Sequence, residues 1–138
     1  MDVVIDANIL FAILIRHGNT EDLLFNEDLH VFAPEFLFDE FVKYRDYILK
    51  KTDKSKEEFE QFFTIIKKKI TTIPNEDTEK YLEHAKNISP DIKDADYFAL
   101  ALKLNCHIWS NDKKLKDQKV VKIFSTEELF EVFGKQEL

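Results

Sequence analysis

Four acidic side chains stand where a carboxylate can act on a ligand. The apolar run Val3-Val4-Ile5 ends at Asp6, and Asp112 follows Ile108-Trp109-Ser110 by two residues. In open α/β sheets, ligands gather beyond the carboxyl ends of strands, so both positions are chemically exposed ones. Asp94 precedes Phe98 and Leu102 by one and two helical turns, beside the apolar face of an alanine-rich segment. Glu40 lies three residues from Leu37 and four from Phe36 and Tyr44. A carboxylate against an apolar face needs a partner. Lys43 at i+3 could serve Glu40, but no Arg or His lies near Asp94 in sequence. Singly, each acid has a plain explanation as a helix cap or a solvated side chain. Gathered in one place they would repel one another and raise each other's pKa values. Oxygen-only ligands of that kind suit Mg²⁺ or Mn²⁺, which keep waters and bridge to phosphate oxygens.

The elements that must carry these acids can be read along the chain. Asp2 to Ile5 reads as a buried strand, followed by a helix over Ala7 to Ile15 and a short one from Thr20 to Phe25. A second strand covers His30 to Ala33, and Pro34 takes a first helical position in a helix running to about Lys50. Ser55-Lys56-Glu57-Glu58 has the capping-box pattern and opens a helix to about Lys69. Ile70 to Ile73 is a strand, residues from about Glu76 to Asn87 are helical, and a further helix begins near Ser89-Pro90 and reaches Leu104. Strands follow at Cys106 to Ser110 and Val120 to Phe124, before a second capping box at Ser125-Thr126-Glu127-Glu128. Five strands alternating with helices call for a parallel or mostly parallel sheet between helical layers.

The composition fits one α/β domain spanning residues 1–138. Apolar residues make up 44% of the chain, while two Gly and three Pro are too few for a many-stranded sandwich or barrel. One cysteine, Cys106, excludes a disulfide framework and a Cys-rich zinc module. No apolar run approaches the roughly 20 residues that span a bilayer, and no basic leader opens the chain, so a cytoplasmic protein without a membrane segment is expected. The net charge of −7 argues against binding nucleic acid by bulk phosphate neutralisation, though not against an enzyme that recruits cations to clustered acids. His17, His30, His84 and His107 are scattered and form no ligand set. Local positive charge is available at Arg16 with His17, at Lys43 with Arg45, and at Lys113, Lys114 and Lys116, of which Lys113 and Lys114 fall nearest Asp112. Thirteen Phe could fill a core or line an apolar groove for a partner.

Taken jointly and in order, four segments resemble those of PIN-domain ribonucleases, the family that includes VapC-type toxins. They are Val3-Val4-Ile5-Asp6-Ala7-Asn8-Ile9-Leu10, Glu40 in the helix after the second strand, Lys93-Asp94-Ala95-Asp96-Tyr97-Phe98-Ala99-Leu100-Ala101, and Ile108-Trp109-Ser110-Asn111-Asp112. The similarity covers residues 1 to about 124. It implies a three-layer α/β/α sandwich with a central, mostly parallel sheet of about five strands. It also implies metal-dependent hydrolysis of RNA phosphodiester bonds by an endoribonuclease. In that reading Asp6, Asp94 and Asp112 hold one or two Mg²⁺ or Mn²⁺ ions, and Glu40 ligates through water or orients the attacking water. Asn8 and Ser110 would hold the acids in place. The alanine spacing favours Asp94 over Asp91 and Asp96 as the ligand, with Asp91 a supporting or capping acid. An RNA substrate, a homodimer and, for a toxin, an antitoxin protein are the implied partners.

Two other families with a strand-end Asp fit less well. A haloacid-dehalogenase phosphatase wants Asp-x-Asp followed by Thr or Val, whereas positions 8 and 10 are Asn and Leu. A two-component receiver domain needs an acidic pair at the first strand, which is missing. The alternative from another class is an inactive PIN scaffold that binds RNA or protein without turnover.

Overall fold

The structure is a computed structural model and describes residues 1–16 and 18–134. His17 lies outside the described residues. The elements run β1 (Asp2–Ile5), α1 (Ala7–Ile15), α2 (Thr20–Leu24), β2 (His30–Pro34), α3 (Phe36–Lys51), α4 (Lys56–Lys69), β3 (Ile70–Ile73), α5 (Glu79–Ile88), α6 (Ala95–Leu104), β4 (His107–Trp109), β5 (Ile123–Phe124) and α7 (Thr126–Phe133). Short 3₁₀ turns cover Asn75–Asp77, Ile92–Asp94 and Lys113–Asp117. All four strand pairings are parallel, in the order β3-β2-β1-β4-β5. The mostly parallel sheet expected from sequence is thus wholly parallel among the described residues.

Strand alternation splits the core into two layers. Val3 and Ile5 of β1 and Trp109 of β4 face the cluster built with α1 to α4 and α7, including Leu10, Leu37, Phe41, Phe59 and Leu129. Val4 and Ile108, one residue out of phase, face the cluster built with α5 and α6, including Ala85, Phe98 and Leu100. Both faces of the sheet are covered, which is why its strands read as unbroken apolar runs rather than alternating ones. The phenylalanines went to the core. Phe41, Phe59 and Phe63 stack on one another, with Phe41 and Phe63 centroids 4.0 Å apart, and no Phe is among the large apolar side chains left exposed. The exposed aromatic rings are instead Tyr44 and Tyr47.

Several boundaries differ from the sequence expectation for identifiable reasons. Pro34 closes β2 instead of opening α3, pairing with Ile73 in the last register position. Its missing N–H would point towards β1, whose pairing with β2 has already ended at Val4 and Phe32, so no ladder bond is lost. The N–H of the next residue, Glu35, faces the other way and donates to Ile73 O at 3.1 Å. The helix expected from Ser89-Pro90 starts only at Ala95, after a 3₁₀ turn. β4 and β5 are shorter than Cys106 to Ser110 and Val120 to Phe124.

Both serines cap their helices, and the second segment closes the full box. Ser55 accepts the N–H of Glu58 at the start of α4. At α7, Ser125 accepts the N–H of Glu128 while the Glu128 carboxylate accepts that of Ser125, a reciprocal box. Ser125→Ala is expected to lower stability by about 1 kcal/mol, which a urea unfolding midpoint would read; an unchanged midpoint would show that the box contributes nothing. No described helix is long and apolar enough to cross a membrane.

Candidate active site

The chain leaves β1 towards β2 and β3 on one side, then returns to place β4 and β5 on the other. The strand order therefore reverses between β1 and β4, the position where open α/β sheets bind ligands beyond the carboxyl ends of their strands. Asp6 leaves the tip of β1 and Ser110 leaves the tip of β4, in strands whose register pairs Ile5 with Trp109.

Asp6 is 6% exposed and caps α1, its Oδ1 accepting the N–H of Ile9 at 3.0 Å. Burial pushes its pKa up, as does the charge of Asp112, while hydrogen bonds from the Ser110 hydroxyl and the N–H groups of Ile9 and Asn8 act against that rise. Ser110 is 1% exposed, and its Oγ also accepts the N–H of Asp112 at 3.1 Å. One hydroxyl thus ties the two strand-end acids. Asn8 serves differently: its backbone N–H reaches Asp6, and its side chain is exposed. Asp112 is exposed and starts the 3₁₀ turn Lys113–Asp117 by accepting the N–H of Lys114. The loop between β4 and that turn is held by Asn111, whose Oδ1 accepts the N–H of Thr126 at 2.8 Å.

Asp94 occupies the N-terminal boundary of α6 rather than its first turn. Its side chain makes no capping bond, so the carboxylate is not engaged by the helix it precedes. Burial, then the charges of Asp91, Asp6 and Asp112, raise its pKa to about 6. The structure brings Asp6, Asp94 and Asp112 into one electrostatic neighbourhood from positions up to 106 residues apart in sequence. Asp91 is exposed and caps the 3₁₀ turn by accepting the N–H of Lys93 at 2.9 Å. Asp96 is half-buried in the first turn of α6 and is not among the charges acting on Asp6 or Asp94.

Glu40 sits on α3, half-buried, and makes no ion pair among the described residues. The Lys43 ammonium lies over the Tyr44 ring instead. Glu40 is not among the charges acting on Asp6 or Asp94, but like them it acts on Tyr97, a residue that spacing alone did not single out. Tyr97 is 4% exposed and sits edge-on to Phe36, with centroids 5.3 Å apart. Burial and the charges of Asp6, Asp94 and Glu40 all raise its pKa, against the N–H of Ala7, which lowers it. Its phenol is therefore neutral, within the electrostatic reach of three carboxylates. The signal was present in the sequence, since Tyr97 stands one turn after Asp94 and a polar-tipped ring is unusual in an otherwise Ala, Leu and Phe helix face.

Of the cationic candidates, Arg45 is paired with Glu60 and Lys116 with Glu128. Lys113 and Lys114 are exposed, and Lys113 lines a polar cleft with Ser110, Asn111 and Asp112. Among the described residues, no three His, Cys, Asp or Glu side chains are drawn together tightly enough to enclose a metal ion. The donor chemistry fits a hard cation: all-oxygen acids, mutually repelling, with two pKa values raised and, among the described residues, no cationic side chain paired with them.

A PIN-domain family model matches residues 4–131. The chain belongs to the PIN-domain family. Two solved structures share the PIN fold seen here. A toxin–antitoxin complex from Klebsiella pneumoniae is 13% identical, covering 90% of this chain and 97% of the other, with a TM-score of 0.67. VapBC2 from Rickettsia felis, bound to a DNA fragment from its promoter, is 18% identical over 91% of this chain and 98% of the other, with a TM-score of 0.64. No curated protein matches the sequence.

Proposed function

We propose that this PIN domain, a single domain over residues 1–138, is a Mg²⁺- or Mn²⁺-dependent endoribonuclease and the toxin of a toxin–antitoxin pair. The observation that supports the reading is the electrostatic influence of Asp6, Asp94 and Asp112 on one another near the reversal of strand order, with no ion pair to any of them among the described residues. Asp6, Asp94 and Asp112 would hold one or two ions, with Glu40 reaching them through water. Bound there, the ion lowers the pKa of the attacking water and stabilises charge on the phosphate. Ser110 fixes the rotamer of Asp6 and the loop of Asp112, and Tyr97 keeps water away behind the carboxylates. Glu40, free of an ion pair, is placed to orient a water or accept its proton.

The toxin assignment is supported by the two similar structures, both of which are toxin–antitoxin assemblies. It brings an RNA substrate, a cytoplasmic location, a homodimer and an antitoxin protein with it.

The direct test is cleavage of an unstructured RNA with Mn²⁺ and with excess EDTA. Cleavage that EDTA abolishes is expected; its absence, together with no Mn²⁺-dependent change in melting temperature, leaves a binding scaffold instead. Lys113→Glu with Lys114→Glu is expected to weaken RNA affinity about tenfold at low salt and reduce the slope of log affinity against log salt by about 1 to 2. Fluorescence anisotropy across a salt series reads both, and an unchanged slope removes these lysines from the RNA path.

A further inference from the structure

From the proposed site a groove of about 720 Å³ runs outward between α1 and α3. Asn8 and Glu40 stand at its inner end, and Arg16 and Lys51 at its outer end. Its walls are ring-rich: Phe11, Tyr44 and Tyr47, with Ile15 below. Tyr44 is 41% exposed and Tyr47 57%, unusual for large aromatic side chains that a core could have used. Phe11 braces Tyr44 edge-on, with centroids 5.9 Å apart, so that ring is held in place. Each tyrosine also carries an ammonium group: Lys43 lies 5.5 Å from the Tyr44 centroid and Lys51 5.7 Å from that of Tyr47.

Exposed rings in a groove that ends in cations suit single-stranded nucleic acid: rings stack on bases, and ammonium or guanidinium groups meet phosphates. The acidic chain as a whole repels a polyanion, yet outside Glu40 the charged groups lining this groove are cationic. From Asn8 to Arg16 the α1 wall extends about 12 Å at 1.5 Å per residue. At the stacked spacing of about 3.4 Å per nucleotide that wall accommodates roughly three nucleotides.

We infer that the α1–α3 groove is a binding track for the unpaired nucleotides adjoining the cleaved bond, with Tyr44 and Tyr47 as base platforms and Arg16 and Lys51 as phosphate contacts. The inference rests on the ribonuclease reading and adds to it the side chains that hold the flanking nucleotides; a base inside a duplex has no free face for a tyrosine.

The test uses a fluorescein-labelled 2′-O-methyl octanucleotide, which resists cleavage, followed by anisotropy against the full chain in Mn²⁺. Tyr44→Ala with Tyr47→Ala is expected to weaken binding about tenfold or more, whereas Tyr44→Phe with Tyr47→Phe, which keeps both rings, holds wild-type affinity. A self-complementary duplex of the same length should bind at least about tenfold more weakly than the single strand. Unchanged affinity in the double alanine variant overturns the inference, and is the result expected of a groove reserved for an amphipathic protein segment. Equal affinity for duplex and single strand overturns it as well. Hydrolysis of bis(p-nitrophenyl) phosphate by the wild-type chain in Mn²⁺ tests the carboxylate chemistry separately, because that small ester needs no groove. Ester hydrolysis with groove-independent RNA binding rejects the track alone; no ester or RNA hydrolysis rejects the nuclease reading and the track with it.

Discussion

Asp94→Ala is expected to abolish Mn²⁺-dependent RNA cleavage, by at least about 10²-fold, while making the metal-free protein more stable at pH 8. The two effects have one origin. Asp94 makes no capping bond, is partly buried, and is held near Asp91, Asp6 and Asp112, so its ionised form is unfavourable in the folded chain. Removing it relieves repulsion and deletes a ligand at the same time. Loss of activity with a raised melting temperature distinguishes a functional acid from a structural one, since a structural acid would take stability with it. Asp6→Ala should also abolish cleavage but without the gain, because Asp6 accepts the N–H of Ile9 and the Ser110 hydroxyl as well. A gel assay with a generic RNA and a thermal melt suffice for both; cleavage retained in both variants refutes the metal-ligand assignment.

The stabilising effect of Asp94→Ala should depend on pH in a defined direction. The Asp94 carboxyl has an ordinary pKa of 3.8 and a folded one of about 6. Between those values the folded chain holds a proton that the unfolded chain has released. Asp94 therefore costs nothing below about pH 4, and its penalty grows as pH rises through about 6. The penalty at neutral pH is about 1 to 2 kcal/mol once the partial exposure of Asp94 is allowed for, or several degrees in Tm. The variant-minus-wild-type difference isolates this from opposing groups. His107, whose pKa is lowered by burial and by Lys122, makes stability rise with pH near its ordinary 6.5. Glu128, held down to about 2 by Lys116 and the cap, loses its contribution as pH falls from 4.5 towards 2. Saturating Mn²⁺ should reverse the sign at pH 8, stabilising wild type by about 2.7 kcal/mol at a hundredfold excess over Kd and the variant far less. Proton competition should shrink that gain at pH 5. A difference that is flat with pH, or equal Mn²⁺ stabilisation of both proteins, sinks this account.

The site was legible in sequence where local pattern and tertiary position coincide. Asp6 ends an apolar strand and caps the next helix, and both facts are written within Val3 to Ile9. Ser110 and Asp112 follow the same logic at β4. The place of Asp94 in its helix was misread, because Ser89-Pro90 offers a good helix start and nothing local reveals that Asp91 uses its carboxylate on a 3₁₀ turn first. Pro34 misled for a similar reason: its fixed φ suits a first helical turn and a strand end equally, and only the register with Ile73 and Val4 decides. Tyr97 was passed over because its burial among three acids depends on α6 crossing over β1 and β2, a contact no local window contains. The thirteen Phe could not be apportioned from composition. Their stacking across α3 and α4 left tyrosines, not phenylalanines, at the surface.

The strand order also decides how copies of this chain can meet. The outermost strands are β3 and β5, and β5 offers only Ile123–Phe124 as a hydrogen-bonding rim. β3 is four residues long, is preceded by Lys67, Lys68 and Lys69, and ends against Pro74. Short rims flanked by lysines and proline are poor templates for a neighbouring strand. Self-association through a continuous ten-stranded ribbon is thereby discouraged, which favours the helical faces for any contact between two chains.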